Sequence, residues 1–121
     1  MILVDTSVWV DHFLGADNLV SELLQAGRVL VHPFVIGEVG LGKLRQRTAI
    51  LGYLWDLPQA RVATDLEVFS FIEQREFSGS GIGYVDAHLL ASTRLTPGAY
   101  LWTRDERLLR VAEQMGLASR F

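Results

Sequence analysis

The chain begins with an apolar run that ends at an aspartate, and this feature limits the possible folds more than any other. Residues 1–4 are all apolar, and Asp5, two hydroxyl residues and a helical pattern follow them. Such a run, rich in branched side chains and ended by polar ones, is typical of a buried strand. We expect Thr6 or Ser7 to cap the helix that follows. Asp5 would then lie at the carboxyl end of a central strand, where open α/β sheets place their ligands.

The remainder of the chain alternates between predicted strands and predicted helices. Further strands are predicted at 28–32, 61–63 and 100–103, with an edge strand or tail at 117–121. Helices are predicted over 17–27, 34–44, 45–55, 65–76, 85–94 and 106–115. Because the sequence has no internal repeat and no linker, residues 1–121 are expected to form one α/β domain. This alternation favours a parallel sheet with helices on both faces, a three-layer α/β/α arrangement.

Composition limits the class of protein without identifying it. Of the 121 residues, 50% are hydrophobic and 21% are charged, which is ordinary for a globular domain. The absence of cysteine excludes disulfides and thiolate metal sites, so a reducing cytoplasm is the expected compartment. The apolar start lacks a basic segment and is too short for a signal peptide or a membrane span. The net charge of −3 would be +1 without four acids of the candidate site, so it neither supports nor excludes a polyanionic substrate.

Acidic residues follow the ends of two predicted strands and occur near the starts of two predicted helices. Asp5 follows the first strand, and Asp105 follows the strand at 100–103. Asp86 is in the first turn of the helix that leads into that strand, and Glu38 is near the start of the helix after the second strand. If the first and fourth strands are neighbours, these carboxylates meet at one edge of the sheet.

Carboxylates that lie a few ångströms apart repel one another, and a cation compensates for this repulsion. Hard oxygen ligands without nearby histidine or cysteine suit Mg²⁺ or Mn²⁺ better than Zn²⁺. An ion of this kind, held by carboxylates and water, is commonly used to cut or transfer phosphate esters. The sequence therefore predicts a magnesium or manganese site for phosphate-ester chemistry.

Each acid also has a simpler structural interpretation. Asp5 and Asp105 could be helix caps, and Asp86 could merely complement a helix dipole. Glu38 could be a solvated helix residue, but it lies among Gly37, Gly40 and apolar residues, which we take to indicate close backbone packing and a helix buried on several sides. No single acid decides between these interpretations, whereas their shared edge favours a common site.

Other chemistry-bearing residues give weaker signals. The three histidines, His12, His32 and His88, have no metal-binding spacing and are typical of core or surface positions. The glycine-rich segment at 79–83 has no following lysine and follows no strand, so it is not a phosphate-binding loop. Arg104, Arg107 and Arg110 recur every three residues beside Asp105, as on a solvated helix face or as phosphate contacts.

The pattern resembles the PIN-domain ribonucleases, in particular the VapC toxins of prokaryotic toxin–antitoxin pairs. The resemblance lies in Val-Asp-Thr-Ser at 4–7, Glu38, Tyr-Val-Asp-Ala-His-Leu-Leu-Ala at 84–91 and Leu-Trp-Thr-Arg-Asp at 101–105. These segments occur in the family's order and extend over nearly the whole chain.

This resemblance implies a parallel sheet with strand order 3-2-1-4-5. It implies that four acids form a Mg²⁺ or Mn²⁺ site and that three hydroxyl residues support it; the acids are Asp5, Glu38, Asp86 and Asp105, and the hydroxyl residues are Thr6, Ser7 and Thr103. The implied activity is endoribonucleolytic cleavage of structured RNA by a metal-activated water. A homodimer and a VapB-type antitoxin, whose tail covers the site, are also implied.

Two other functions compete with the ribonuclease hypothesis. A haloacid-dehalogenase-type phosphohydrolase also begins with an aspartate after its first strand, but it requires a second acid two residues later, where this chain has Ser7. A non-catalytic RNA- or protein-binding module could use the same fold with its acids acting only as caps. The presence of all four acids together is the sequence feature that argues against such a module.

Overall fold

In the computed structural model, which describes residues 1–119, three parallel strands form the sheet. They are β1 (Ile2–Val4), β2 (Val29–Leu30) and β3 (Tyr100–Trp102). The strand order is β2-β1-β3, so the N-terminal strand is central. Ile2 pairs with Val29 on one side and with Tyr100 on the other. The predicted central position of the first strand is thus confirmed.

Helices connect and flank these strands. They are α1 (Thr6–Phe13), α2 (Leu19–Gln25), α3 (Pro33–Leu41), α4 (Arg47–Asp56), α5 (Asp65–Arg75), α6 (Tyr84–Leu95) and α7 (Glu106–Gln114). The predicted α/β class is confirmed, and the helix boundaries differ from the predicted ones by a few residues. Within residues 1–119, no helix combines the length and the apolar character needed to cross a bilayer.

The predicted outer strands are reduced to single bridges. Val31 pairs with Gln59 beyond β2, and Leu101 pairs with Ala118 beyond β3, both in parallel. In the predicted order 3-2-1-4-5 the fourth strand corresponds to β3, and the two bridges lie at the outer positions 3 and 5. The order is therefore retained, while the number of strands falls to three. Of the predicted segment 117–121, residues 120 and 121 lie outside the described residues.

The segment predicted as the third strand, 61–63, is not a strand. Its backbone N–H groups donate to side chains of α6 and of the residue that follows α6, and not to the sheet. Arg61 N–H donates to Thr96 Oγ1 (2.9 Å), and Ala63 N–H donates to Ser92 Oγ (3.3 Å). Sheet pairing occurs just before it, where Ala60 N–H donates to the carbonyl of Val31 (2.9 Å). A short apolar run therefore lies beside the sheet without extending it.

The core surrounds β1, which is buried along its whole length. The largest fully buried side chains come from the strands and from the helices that pack on them, and include Leu3, Trp9, Leu54, Leu89, Leu90, Leu101 and Leu108. Helix α5 begins with a capping box in which Thr64 and Glu67 satisfy each other's backbone N–H groups, and Asp65 is the first helical residue.

The prediction that α3 is buried on several sides is wrong. The helix buries Val35, Ile36 and Val39, whereas Glu38 is exposed and Leu41 is 89% exposed. Its glycines do not permit close backbone packing: a Cβ added at Gly37 would meet open space, and one at Gly40 would meet side chains of α4. Helix α3 therefore has one core face and one largely open face.

His32 precedes α3 and is fully buried. Its Nδ1 accepts a hydrogen bond from Phe34 N–H (3.0 Å), so the ring caps the helix and the neutral form carries its proton on Nε2. Burial, with a smaller effect from the charge of His88, lowers the pKa of His32 to about 4. The ring is therefore a structural core histidine that stays neutral in the folded protein.

We expect His32 to make folding sensitive to mild acid. The unfolded chain binds a proton at this ring near its ordinary pKa of about 6.5, whereas the folded chain does so only near 4, so stability falls between these two values. The loss should amount to about 3 kcal/mol at most. Urea unfolding from pH 7 to 4 measures it, and His32→Asn, which keeps a capping oxygen, should flatten the curve. Equal pH slopes for both proteins would contradict this assignment.

Candidate active site

Asp5 lies directly after β1, and the sheet fixes its position. Its backbone N–H donates to the carbonyl of Trp102 (2.9 Å), which extends the β1–β3 ladder by one bond. Asp5 is only 6% exposed, and its Oδ2 accepts hydrogen bonds from Ser7 Oγ (3.0 Å) and Thr103 Oγ1 (2.7 Å). Although Asp5 occupies the N-cap position of α1, its side chain makes no capping bond. The interpretation of Asp5 as a helix cap is therefore wrong.

The two hydroxyl residues after Asp5 serve the acids and do not cap the helix. Thr6 Oγ1 donates to Glu38 Oε1 (2.7 Å). Ser7 Oγ donates to Asp5 and accepts from the backbone N–H of Arg104 (3.0 Å). The prediction that Thr6 or Ser7 caps α1 is wrong because both residues lie inside the first turn of that helix.

Thr103 joins two of the acids. Its buried hydroxyl donates to Asp5 Oδ2 (2.7 Å) and accepts from the backbone N–H of Asp105 (3.1 Å). Ser7 Oγ lies 3.5 Å from the same hydroxyl. The ends of β1 and β3 are therefore connected through a network of hydroxyl groups around one carboxylate.

Asp86 and Asp105 cap helices and also face the site. Asp86 Oδ2 accepts from Gly83 N–H (3.1 Å) before α6, and Asp105 Oδ1 accepts from the N–H groups of Arg107 and Leu108 (both 3.0 Å) at the start of α7. The predicted cap at Asp105 is confirmed. Within residues 1–119, the second oxygen of each carboxylate accepts no hydrogen bond, so one oxygen of each carboxylate is not occupied by capping.

The pKa of Asp86 responds to the charges of the other three acids. Burial raises the pKa of the Asp86 carboxyl above its ordinary value, while the hydrogen bond from Gly83 lowers it. The negative charges of Asp5, Asp105 and Glu38 each raise this pKa further. Asp86 is thus close enough to the other three predicted acids to experience their charges, and this repulsion favours a cation beside it.

The donor chemistry of this cluster fits a hard divalent ion. The available ligands are carboxylate oxygens with hydroxyl groups behind them, which suit Mg²⁺ or Mn²⁺. No group of three or more acidic or histidine side chains within residues 1–119 forms a ready ligand set by itself. Mg²⁺ normally retains several waters, so two or three of these carboxylates with water would satisfy it. Asp5, Asp86 and Asp105 could hold such an ion together with water.

Arg104 has a different role from the phosphate contact that its position suggested. Its guanidinium donates to Asp11 Oδ2 and Asp17 Oδ2, both at 2.6 Å, and lies 5.5 Å from the ring centre of Trp102. These bonds connect α1 and the loop after it to the end of β3. Sequence reasoning missed this arrangement because partners separated by 87 and 93 residues leave no local pattern.

Comparison with known proteins agrees with this geometry. The model of the PIN domain matches residues 2–114. The chain is also similar to a protein named Ribonuclease VapC32 in two strains of Mycobacterium tuberculosis, with 46% identity over 118 residues in each case. These alignments cover 98% of this chain and 95% of the mycobacterial protein.

A match over nearly the whole length, together with acids at the ends of β1 and β3, identifies the family. The resemblance predicted from the four sequence segments is confirmed. This chain belongs to the PIN-domain family and, within it, to the VapC group.

Proposed function

We propose that this protein is a divalent-metal-dependent endoribonuclease and acts as the toxin of a type II toxin–antitoxin pair. The observation that carries the proposal is the convergence of three carboxylates on Asp86, with Asp5 held in place by two hydroxyls. The similarity to a protein named as a ribonuclease supports the choice of RNA over other phosphate esters.

The proposed roles follow from the contacts of each side chain. Asp5, Asp86 and Asp105 would hold Mg²⁺ or Mn²⁺, which supplies an activated water and neutralises charge on the phosphate. Ser7 and Thr103 fix the orientation of Asp5 through its Oδ2 atom. Glu38 is exposed at the rim, where Thr6 holds its Oε1 atom.

The proposed reaction is hydrolysis of a phosphodiester in structured RNA. A bond forms between the water oxygen and phosphorus as one ester P–O bond breaks opposite to it. One proton of the water leaves to solvent, and the departing oxygen gains a proton, which gives a phosphomonoester and a hydroxyl end. The chain's contribution is to orient the carboxylates beside the substrate.

An RNA cleavage assay tests this function directly. Structured RNA is incubated with the protein in Mn²⁺ or Mg²⁺, with and without EDTA, and a generic phosphomonoester is tested alongside it. We expect internal cleavage of RNA that EDTA abolishes, and no turnover of the phosphomonoester. Turnover of the phosphomonoester alone would favour the phosphohydrolase, and survival of both substrates would favour a non-catalytic binding module.

Binding of the ion should also stabilise the fold. A ligand at ten times its dissociation constant adds about 1.4 kcal/mol to the free energy of unfolding, which corresponds to a few degrees in Tm for a domain of this size. Thermal melts in millimolar Mg²⁺ or Mn²⁺ measure this shift, and EDTA should reverse it. Asp86→Asn should show a smaller shift. A wild-type protein that does not respond to either ion would contradict the metal site.

An apolar groove beside Glu38 offers a surface for the proposed VapB-type antitoxin. Its volume is about 380 Å³, and its walls come from α1, α3, the segment after α3 and α4; they are mostly apolar but include Lys43 and Arg45. Leu14 on one wall is 79% exposed. Glu38 also lines the groove, so an antitoxin segment whose apolar face fills the groove and whose basic tail extends past Glu38 would cover the carboxylates.

Inhibition by the antitoxin tests this surface. We expect a small protein to be encoded beside this one and to inhibit cleavage by the wild type at equimolar concentration. Leu14→Asp should require at least about tenfold more of it, since an apolar anchor is commonly worth 1–2 kcal/mol or more. Uninhibited cleavage of both proteins would contradict the partner. Equal inhibition of both would place its binding elsewhere.

Light scattering of the free protein tests the proposed homodimer.

A further inference from the structure

Arg107 lies at the edge of the acidic site, in the first turn of α7. Its backbone N–H donates to Asp105 Oδ1 (3.0 Å). Its side chain runs over the glycine-rich loop before α6: a Cβ added at Gly81 would lie 3.1 Å from Arg107 Cδ and 3.6 Å from Nε. Two residues later, Gly83 N–H donates to Asp86 Oδ2. The guanidinium therefore lies against the loop that leads directly to Asp86.

The conformation of this loop explains why the side chain can lie there. Gly81 has a φ of +88°, which L side chains rarely adopt, and its lack of a Cβ leaves room for the stem of Arg107. The arginine stem and the glycine backbone are both exposed to solvent. The position of Arg107 is thus set by the loop and not by an ion pair.

Arg107 keeps its charge available, in contrast to Arg104. Among residues 1–119, the ion pairs of the arginines are those of Arg104 with Asp11 and Asp17, and Arg107 takes part in none. A guanidinium with unused donors suits the two oxygens of a phosphate, to which it can bond in a bidentate manner. RNA entering an acidic site also requires positive charge at the rim, since the carboxylates repel its backbone.

We propose that Arg107 binds a backbone phosphate of the RNA next to the cleaved bond, and that Gly81 exists to let its side chain lie there. This inference rests on the proposed ribonuclease function and names a residue that positions its substrate. Arg107 is distinguished from Arg110, which lies one turn further along α7, away from the edge where Asp86 and Asp105 meet.

The test measures RNA binding and its dependence on salt. All variants are made in an Asp5→Asn background, which blocks cleavage and removes one negative charge from the site. Binding of a labelled structured RNA in Mg²⁺ is followed by fluorescence anisotropy between about 50 and 200 mM salt, the range over which phosphate contacts are lost. Arg107→Gln and Arg110→Gln make the same change of charge at matched exposed positions, and melting curves check that both variants fold.

We expect Arg107→Gln to weaken binding about five- to tenfold and to reduce the salt slope by about one, as for the loss of one phosphate contact. Arg110→Gln should change affinity less than about twofold, and Arg107→Lys should retain the slope because it keeps the charge. Equal effects of the two glutamine variants would overturn the inference, as would an Asp5→Asn protein that binds no RNA. Cleavage by the wild type is measured separately, so failure of the proposed function is distinguishable.

Discussion

Replacing Asp5 by asparagine should reduce RNA cleavage by more than about 100-fold, because even the hydrogen-bond partners of metal ligands typically contribute 10- to 100-fold to activity. The fold should survive, since the amide oxygen can still accept from Ser7 and Thr103. In metal-free buffer the Tm should stay unchanged or rise slightly, because the substitution removes a charge that repels Asp86. Cleavage kinetics and melting curves of the same preparation measure both effects.

The control is Asp56→Asn at the exposed end of α4, an aspartate that makes none of the hydrogen bonds of the acidic cluster described above. It makes the same chemical change, and we expect both its cleavage rate and its Tm to equal those of the wild type. A clear loss of stability in Asp5→Asn would mean that Asp5 is mainly structural. Cleavage that persists in that variant would place the active site elsewhere.

Replacing Thr103 by valine should have the second largest effect. The side chain is 4% exposed, and valine matches its shape but cannot donate to Asp5 or accept from Asp105 N–H. Loss of a hydrogen bond to a buried carboxylate costs about 1.5–3 kcal/mol, so we expect the free energy of unfolding to fall by about 2 kcal/mol. Cleavage should fall about 10- to 100-fold, since Asp5 loses one of the two groups that orient it.

Two companion variants isolate the role of the hydroxyl. Thr103→Ser keeps both hydrogen bonds and should retain most of the activity. Thr93→Val makes the same change at an equally buried position, where the hydroxyl donates only to the carbonyl of Leu89 within its own helix (2.7 Å), and cleavage should not change. If Thr93→Val and Thr103→Val lose equal activity, the hydroxyl network has no specific role in the reaction.

The central features of the fold could be predicted because they are local in sequence. The apolar run that ends at Asp5 and the segment at 100–103 have the length and composition of buried strands. Their parallel arrangement in one sheet follows from the preference for right-handed strand–helix–strand connections. The weak outer strand at 61–63 could not be distinguished from an extended segment. Its backbone groups bond to Ser92 and Thr96, and this choice depends on a helix thirty residues away.

The positions of the acids followed from topology, whereas the roles of the hydroxyls did not. Asp5 and Asp105 follow adjacent parallel strands, so their proximity required only the strand order. Thr6 and Ser7 were expected to cap α1, as such residues commonly do. Asp5 takes the N-cap position instead, and both hydroxyls then point to acids. Spacing alone does not show whether a hydroxyl at this position bonds to the helix terminus or to a nearby carboxylate.

The glycine-rich loop illustrates a different limit. Its sequence excluded a phosphate-binding loop, but the reason for Gly81 is evident only from the structure, in which the side chain of Arg107 lies across it. Similarly, the three regularly spaced arginines looked equivalent. Arg104 is held by two aspartates, whereas Arg107 at the rim takes part in no ion pair with the residues that the structure describes. The sequence located the cations near the site, and tertiary contacts distinguished among them.

The pairing of β1 with β3 has a consequence for synthesis of the protein. Thr103 Oγ1 and Asp5 are separated by 98 residues, and Ile2 pairs with Tyr100 in the sheet. Contacts of such long sequence separation form late, after the intervening chain has closed its loop. A nascent chain on the ribosome therefore lacks an assembled set of carboxylates until residues 100–105 have emerged from the exit tunnel. Translation of this protein would proceed with the acidic cluster still incomplete.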